Sequence, residues 1–165
     1  IYSRHGRIDA VLHGAGIIED KLIVDKPFEQ FKRVFEVKVK STYLLAKKLK
    51  PEGMKLAVFF TSMAGRFGNM GQSDYASANE AVNRFAWRLN NEWPNARIMS
   101  INWGPWISGM VTDELIAAFE ERGVIPIPLK GGRQFFLDEL NHGKKDEVEL
   151  VAGSGLWSAD DLKRV

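Results

Sequence analysis

Short apolar runs alternate along the chain with longer segments of helical periodicity, and this alternation predicts an α/β fold. Apolar runs that end at glycine or proline turns indicate buried strands, and they occupy residues 8–13, 55–61, 97–103 and 147–151. Apolar residues at three- and four-residue steps predict helices over 27–50, 74–92, 113–122 and 133–141. Strands that alternate with helices in this way favour a parallel sheet with helices on both faces.

Individual residues predict where the helices begin and end. Pro27 suits the first position of a helix, and Asp74 suits an N-cap. Thr112 is expected to cap the third helix, and Gly123 is expected to end it. The segment 124–128, which contains two prolines, is expected to be an exposed, extended connector.

Chemistry-bearing side chains concentrate between the second strand and the helix that follows it. Ser62 comes at the strand end, and glycines at 65, 68 and 71 predict a tight loop. Tyr75 opens the next helix, and Asn79 lies four residues later on the same helical face. Taken separately, Ser62 could equally be a turn cap and Tyr75 a half-buried aromatic residue.

Two further features lie near strand ends or on an apolar helical face. The first strand ends in His13-Gly14-Ala15-Gly16, and ligands of parallel sheets bind outside the carboxyl ends of strands. A plain turn explains this segment equally well on its own. Lys38 falls on the apolar side of its helix, where it is either an edge lysine reaching for solvent or a functional lysine, with Lys40 as a second candidate.

Five segments in this order resemble the active site of short-chain dehydrogenases/reductases. More narrowly, they resemble the ketoreductase domains of polyketide synthases and polyunsaturated fatty acid synthases. The segments are His13–Gly16, Lys38, Ser62, Tyr75–Asn79 and Asn102–Trp106. In ordinary members a lysine stands four residues after the tyrosine; here Asn79 stands there, and such an exchange with a lysine on the preceding helix is typical of the ketoreductases.

The resemblance implies a Rossmann-like, doubly wound parallel sheet whose N-terminal strands and glycine-rich phosphate loop are missing. The sequence has no Gly-x-Gly-x-x-Gly motif after a first strand, and the spacing of Gly65, Gly68 and Gly71 does not supply one. We therefore expect residues 1–157 to be the C-terminal part of a ketoreductase domain, with a linker or tail over 158–165.

The resemblance also implies the reaction, which is NADPH-dependent reduction of a β-ketoacyl thioester carried by an acyl carrier protein. Ser62 and Tyr75 would bind the carbonyl oxygen, and Tyr75 would donate the proton. Lys38 and Asn79 complete the implied catalytic set. The implied cofactor-binding residues are His13, Gly14, Ala15, Gly16, Lys38, Trp103, Gly104 and Pro105.

Substrate binding and stereocontrol are implied for Asp20, Met63, Phe67 and Trp106. The segment Ile18-Glu19-Asp20 resembles the Leu-Asp-Asp motif of B-type ketoreductases, which usually give 3R products. Phe67 stands where the opposite type carries tryptophan. The region after Trp103-Gly104-Pro105 would form a lid over a substrate tethered by phosphopantetheine, and other domains of the same synthase would be partners.

Composition narrows the remaining possibilities. The chain has 165 residues, of which 45% are hydrophobic and 27% charged, as expected for one domain with a core. The net charge of +2 argues against nucleic acid as a partner, and Lys47, Lys48 and Lys50 read as a solvated helix end. Cysteine is absent and the histidines are scattered, so no metal site is predicted. The sequence has no long apolar run and no signal segment, and we therefore expect a cytoplasmic protein without membrane contact.

Two alternatives stay open. One is a free-standing alcohol dehydrogenase or ketone reductase of the same superfamily, against which Asn79 argues. The other is a noncatalytic structural half-domain, which would need none of the four catalytic candidates Lys38, Ser62, Tyr75 and Asn79.

Overall fold

A computed structural model of the chain describes residues 1–107, 113–121 and 123–153. In chain order the elements are α1 (Tyr2–His5), β1 (Ala10–His13), α2 (Phe28–Lys48), β2 (Leu56–Ser62), α3 (Met63–Phe67), α4 (Ser73–Glu92), β3 (Arg97–Trp103), β4 (Trp106–Ile107), α5 (Asp113–Glu121), β5 (Ile127–Pro128), α6 (Leu129–His142) and β6 (Glu149–Ala152). This order confirms the predicted α/β fold. Within the described residues, no helix combines the length and apolar character needed to span a membrane.

The residues group into two compact units. The first comprises Ile1–Asn102 and Lys144–Leu150, and the second comprises Trp103–Gly143 and the segment that starts at Val151. A single domain over residues 1–157 stays a prediction. The predicted tail, residues 158–165, lies outside the described residues.

The main sheet has four strands in the order β1-β2-β3-β6. Strands β1 and β2 are parallel, with Ala10 opposite Leu56 and His13 opposite Phe59. This register brings the carboxyl ends of both strands to the same edge of the sheet. β2 continues beyond the level of His13 to Ser62, so the turn after β1 lies beside the last residues of β2.

Helices α2 and α4 pack against each other, and α4 contributes to a hydrophobic cluster of the first unit. The buried members of this cluster are Met54, Ala57, Phe59, Val82, Ala86, Leu89, Trp93, Ala96, Ile98 and Val148. Residues 57 and 59 alternate along β2, whereas 82, 86 and 89 follow helical spacing along α4, so both predicted periodicities face the same core. Full burial of each large side chain contributes about 1.5–3 kcal/mol.

Several predicted helix ends were wrong. Pro27 is the N-cap of α2 rather than its first residue, because its backbone is extended (φ −62°, ψ 143°) while its carbonyl accepts from the amide of Phe31. Helix α4 begins at Ser73, so Asp74 lies in its first turn instead of capping it. Its carboxylate is engaged by Lys26 instead.

Other segments are more regular than predicted. The start of the glycine loop folds as α3, because the Ser62 side chain caps it and Gly68 ends it with φ of +78°. Helix α6 begins at Leu129 and includes two glycines expected to precede it. Part of the predicted connector is β5, which pairs with β4, and Pro126 is buried. Strands β1 and β6 are shorter at their starts than predicted, and Thr112 lies outside the described residues.

Candidate active site

Lys38 is buried on α2 with its ammonium group at the carboxyl end of β2. The side chain is 4% exposed, and Nζ donates a hydrogen bond of 2.8 Å to the carbonyl oxygen of Phe60. Burial lowers the pKa of Lys38 to about 8. The ammonium group is thus fixed at Phe60, two residues before Ser62. An edge lysine would extend into solvent, and Lys38 does not.

Ser62 is the last residue of β2 and the N-cap of α3. Its Oγ accepts a hydrogen bond of 3.2 Å from the amide of Ala64, and the residue stays half-buried. The capping interpretation of this serine is thus correct. A hydroxyl oxygen that accepts from a backbone amide can still donate its own proton to a carbonyl oxygen, so capping fixes the serine without occupying its donor.

Tyr75 and Asn79 lie one turn apart near the start of α4. The Asn79 side chain is fully buried, and its Nδ2 donates 2.8 Å to the carbonyl oxygen of Tyr75. Its Oδ1 is buried with no hydrogen-bond partner among the described residues. A buried acceptor without a partner costs free energy.

Gly65 brings α3 close to this part of α4. A Cβ placed on Gly65 would lie 2.8 Å from Cβ of Asn79 and 3.0 Å from the amide nitrogen of Glu80. Only glycine allows this approach. It connects the strand end that carries Ser62 to the turn of α4 that carries Asn79, and Lys38 reaches the same strand end through its hydrogen bond to Phe60.

The turn after β1 contributes one buried residue and three exposed ones. The ring of His13 is 6% exposed, and its Nε2 lies 2.7 Å from Oγ of Ser41. Ser41 donates to the carbonyl oxygen of Val37 at 2.5 Å, so its oxygen is free to accept from an Nε2–H tautomer of His13. Burial and the charge of Lys38 lower the pKa of His13. The imidazole therefore packs against α2 as a neutral group.

Glycines 14 and 16 and Ala15 are exposed and fit a cofactor that approaches the backbone. A Cβ on Gly16 would lie 3.2 Å from Cε and 3.4 Å from Nζ of Lys38, so glycine lets the turn after β1 pack closely against the lysine head. The present chain offers no glycine-rich motif for a pyrophosphate.

The predicted substrate residues of the first unit surround the glycine loop. Met63 is buried at the first position of α3, and Phe67 is half-buried at its last. Asp20 is exposed, and both of its carboxylate oxygens accept from Nε2 of Gln72 at 3.0 Å. The loop with Asp20 therefore contacts the residue just before α4.

Two polar groups of the first unit were missed from the sequence. Lys26 and Asp74 form an ion pair of 2.5 Å in which each side chain is 1% exposed. In addition, Oδ1 of Asn102 accepts from Thr61 at 3.2 Å and from Nδ2 of Asn83 at 3.0 Å. A polar residue on the apolar face of a predicted helix could have indicated Asn83, but its partner lies 19 positions away and no periodicity predicts it.

The remaining predicted residues belong to the second unit. Trp103 is buried, and its ring centroid lies 4.8 Å from that of Trp106 and 5.6 Å from that of Phe135. The amide of Gly104 donates 2.8 Å to Ala152, and the carbonyl of Pro105 accepts 2.7 Å from Ile127. Backbone hydrogen bonds therefore hold the segment Trp103-Gly104-Pro105, which follows the end of β3 as predicted.

Comparison with known proteins identifies the family. The family model described as KR domain matches residues 1–108. Over 127 residues, 77% of this chain, the sequence is 41% identical to a polyunsaturated fatty acid synthase polypeptide from Thraustochytrium sp.. It is 31% identical over 163 residues, 93% of this chain, to the polyketide synthase PksN of Bacillus subtilis. The chain spans only 4% and 3% of the lengths of these two proteins.

Solved structures give the same result. The ketoreductase from the first module of phoslactomycin biosynthesis in Streptomyces sp. HK803 superposes with a TM-score of 0.82 at 26% identity, over 94% of this chain and 35% of that one. An N-terminal ketoreductase from the macrolactin assembly line gives 0.80 at 27% identity, over 99% and 31%. The fold is that of Rossmann-like α/β reductases. The chain belongs to the KR domain family, the ketoreductase domains of polyketide and polyunsaturated fatty acid synthases.

Proposed function

We propose that this chain carries the catalytic centre of an NADPH-dependent reductase that converts a β-ketoacyl thioester to a β-hydroxyacyl thioester. The observation that carries the proposal is the burial of Lys38 with its ammonium group on the carbonyl of Phe60, two residues before Ser62. Burying a charged lysine is costly, and a protein retains such a group where it is paired or functional.

In this proposal the side chains act on the oxygen of the ketone. Ser62, fixed as the cap of α3, donates a hydrogen bond to that oxygen, and Tyr75 donates a second one and then its proton. Lys38 is the cation that the resemblance assigns to the support of this proton transfer. Donors that are already in place when charge develops usually contribute the largest part of the rate enhancement. NADPH, when bound, supplies the hydride.

Cofactor binding is assigned residue by residue from the resemblance to ketoreductases. Gly14, Ala15 and Gly16 would face the adenosine and ribose side, and Lys38 would bind the nicotinamide ribose. Trp103, Gly104 and Pro105 would lie beside the nicotinamide ring. Residues outside this sequence would hold the pyrophosphate.

We further propose that the substrate arrives on an acyl carrier protein within a multidomain synthase. The similarity to short stretches of much longer synthases supports this assignment. Asp20 and Phe67 support a B-type product, and the resemblance assigns Met63 and Trp106 to substrate binding. The free-standing reductase stays the second candidate; no contact among the described residues favours it.

Turnover by the full-length protein that carries this sequence tests the proposal. With NADPH and the acetoacetyl thioester of N-acetylcysteamine, we expect the 3-hydroxybutyryl thioester and a loss of roughly 10³-fold in kcat for Tyr75→Phe, since both a hydrogen-bond donor and the acid are removed. The KM for NADPH should stay unchanged. Tyr43→Phe, which alters a tyrosine 45% exposed on α2, is the matched control and should keep full activity.

The result also separates the alternatives. Efficient reduction of simple ketones with no preference for the thioester would indicate a free-standing alcohol dehydrogenase. Lack of turnover on any ketone would indicate a structural half-domain. Normal turnover by Tyr75→Phe would refute the proposed mechanism.

A further inference from the structure

A buried ion pair lies beside the predicted proton donor and plays no part in the mechanism above. Lys26 lies just before Pro27, the N-cap of α2, and Asp74 immediately precedes Tyr75 in α4. Their side chains meet at 2.5 Å, each 1% exposed. By contrast, the ion pairs formed by Arg7, Arg33, Lys55, Arg84 and Arg88 each have at least one partner more than 30% exposed, for example Arg88–Glu92 at 64% and 46%.

Each member of the pair also forms a hydrogen bond with a backbone group at or next to a predicted site residue. Nζ of Lys26 donates 3.0 Å to the carbonyl oxygen of Glu19, the residue before Asp20. Oδ1 of Asp74 accepts 2.9 Å from the amide of Tyr75. One continuous set of contacts therefore runs from the backbone beside Asp20 through two buried charges to the backbone of Tyr75.

Weaker contacts follow the same route at the surface. The Gln72 side chain donates to Asp20, and the amide of Lys21 donates 2.9 Å to the carbonyl oxygen of Gly71. These contacts are exposed to solvent or involve single backbone groups. The buried pair is the part of the connection that water cannot replace, since two charges out of water depend on each other.

We propose that Lys26 and Asp74 are positioning residues that fix the loop bearing Asp20 against the first turn of α4, and thereby fix the substrate's approach to Tyr75. This inference rests on the proposed function. It assigns the pair an effect on turnover and on product configuration. The face of the ketone that is presented to the hydride would depend on how the loop bearing Asp20 is held against the first turn of α4. A displacement of about 1 Å can cost about 10²-fold in rate.

The experiment compares Lys26→Met with Arg88→Met in the full-length protein. Both variants remove one cation from an ion pair with a carboxylate on α4, but Arg88 lies at the far, exposed end of the helix. The readouts are kcat and KM with NADPH and the acetoacetyl thioester of N-acetylcysteamine, and the ratio of 3R to 3S product. For Lys26→Met we expect kcat to fall about tenfold or more and the product ratio to fall about fivefold, with KM for NADPH unchanged. Arg88→Met should match the unaltered protein.

A second variant separates positioning from folding. Lys26→Met leaves the Asp74 charge buried and unpaired, which destabilises the fold; Lys26→Met/Asp74→Leu removes both charges, and apolar replacements of a buried pair commonly restore stability. We expect the double variant to regain thermal stability while its ratio of 3R to 3S product stays low. Neither apolar replacement can form a hydrogen bond with the carbonyl of Glu19 or the amide of Tyr75. Substituting Lys26→Arg should recover part of the ratio.

The outcomes distinguish this inference from the proposed function. Unaltered protein that fails to reduce the thioester overturns the proposed function and the inference with it. An active unaltered protein with the same kcat and product ratio in Lys26→Met overturns the inference alone. Recovery of both quantities in the double variant also overturns it, because the pair would then serve stability only.

Discussion

The close approach of α3 to α4 at Gly65 gives a sharp prediction about a single added methyl group. In Gly65→Ala the new Cβ would lie 2.8 Å from Cβ of Asn79 and 3.0 Å from the amide nitrogen of Glu80, whereas ordinary contacts are 3.4–4 Å. Neither neighbour is the end of a flexible side chain. One helix must therefore retreat by at least 0.6 Å, the difference between 2.8 and 3.4 Å.

The magnitude follows from two opposing effects. Overpacking of this kind costs about 1–3 kcal/mol, and a clash with rigid atoms belongs at the upper end of that range. Alanine in place of glycine within a helix stabilises the helix by about 1 kcal/mol. We expect the free energy of unfolding to fall by about 2 kcal/mol. Because Ser62 immediately precedes α3 and Asn79 is the residue that is pushed, kcat should fall at least about tenfold.

Urea unfolding and steady-state reduction of the β-ketoacyl thioester measure the two effects. Gly53→Ala is the matched control: its Cβ would meet Cβ of Arg7 at 3.4 Å, an ordinary contact, and Gly53 lies in a short turn before β2. This control should change stability by no more than about 1 kcal/mol. Equal stability and equal turnover in Gly65→Ala and Gly53→Ala would refute the packing that connects α3 to α4.

Two further predictions concern Lys38 and Trp106. Burial lowers the pKa of Lys38 to about 8, so between about pH 8 and 10.5 the unfolded chain binds a proton that the folded protein does not, and stability rises with pH in that window. Relative to Lys38→Met, the unfolding free energy of the unaltered protein should gain about 2 kcal/mol from about pH 7 to 9.5 in urea titrations, and parallel curves would contradict the burial of a charged lysine. In the second unit, a Cβ at Gly132 would overlap the Trp106 indole, so Gly132→Ala should displace that ring and change the near-UV circular dichroism, whereas an unchanged spectrum would contradict this contact.

The sequence predicted the elements well where periodicity is the controlling signal. Strand β3 has its predicted bounds, and α2 and α4 differ by one or two residues at their ends. Helix ends were less predictable because they depend on distant partners. Aspartate is a residue type that commonly caps helices, yet the carboxylate of Asp74 is bound by Lys26, which lies 48 positions earlier in the chain.

The candidate site divides in the same way. The resemblance to ketoreductases indicated Lys38, Ser62, Tyr75 and Asn79, and contacts of the first unit place Lys38 and Ser62 at the end of β2 and Asn79 against α3. The buried pair of Lys26 and Asp74 could not be predicted, because each residue reads as an ordinary charge in a loop or in the first turn of a helix. Helix α3 was missed since its five residues are too short to show a period.

The pH dependence of kcat/KM for NADPH tests the role of Lys38 most directly, because that ratio reports ionisations of the free enzyme. We expect the unaltered protein to lose activity above a pKa of about 8, the value that burial gives Lys38. In Lys38→Arg the cation persists throughout the range, so the decline should move to higher pH even if the maximum is lower. The same decline in both proteins, or full turnover by Lys38→Met, would contradict a catalytic role for this buried lysine.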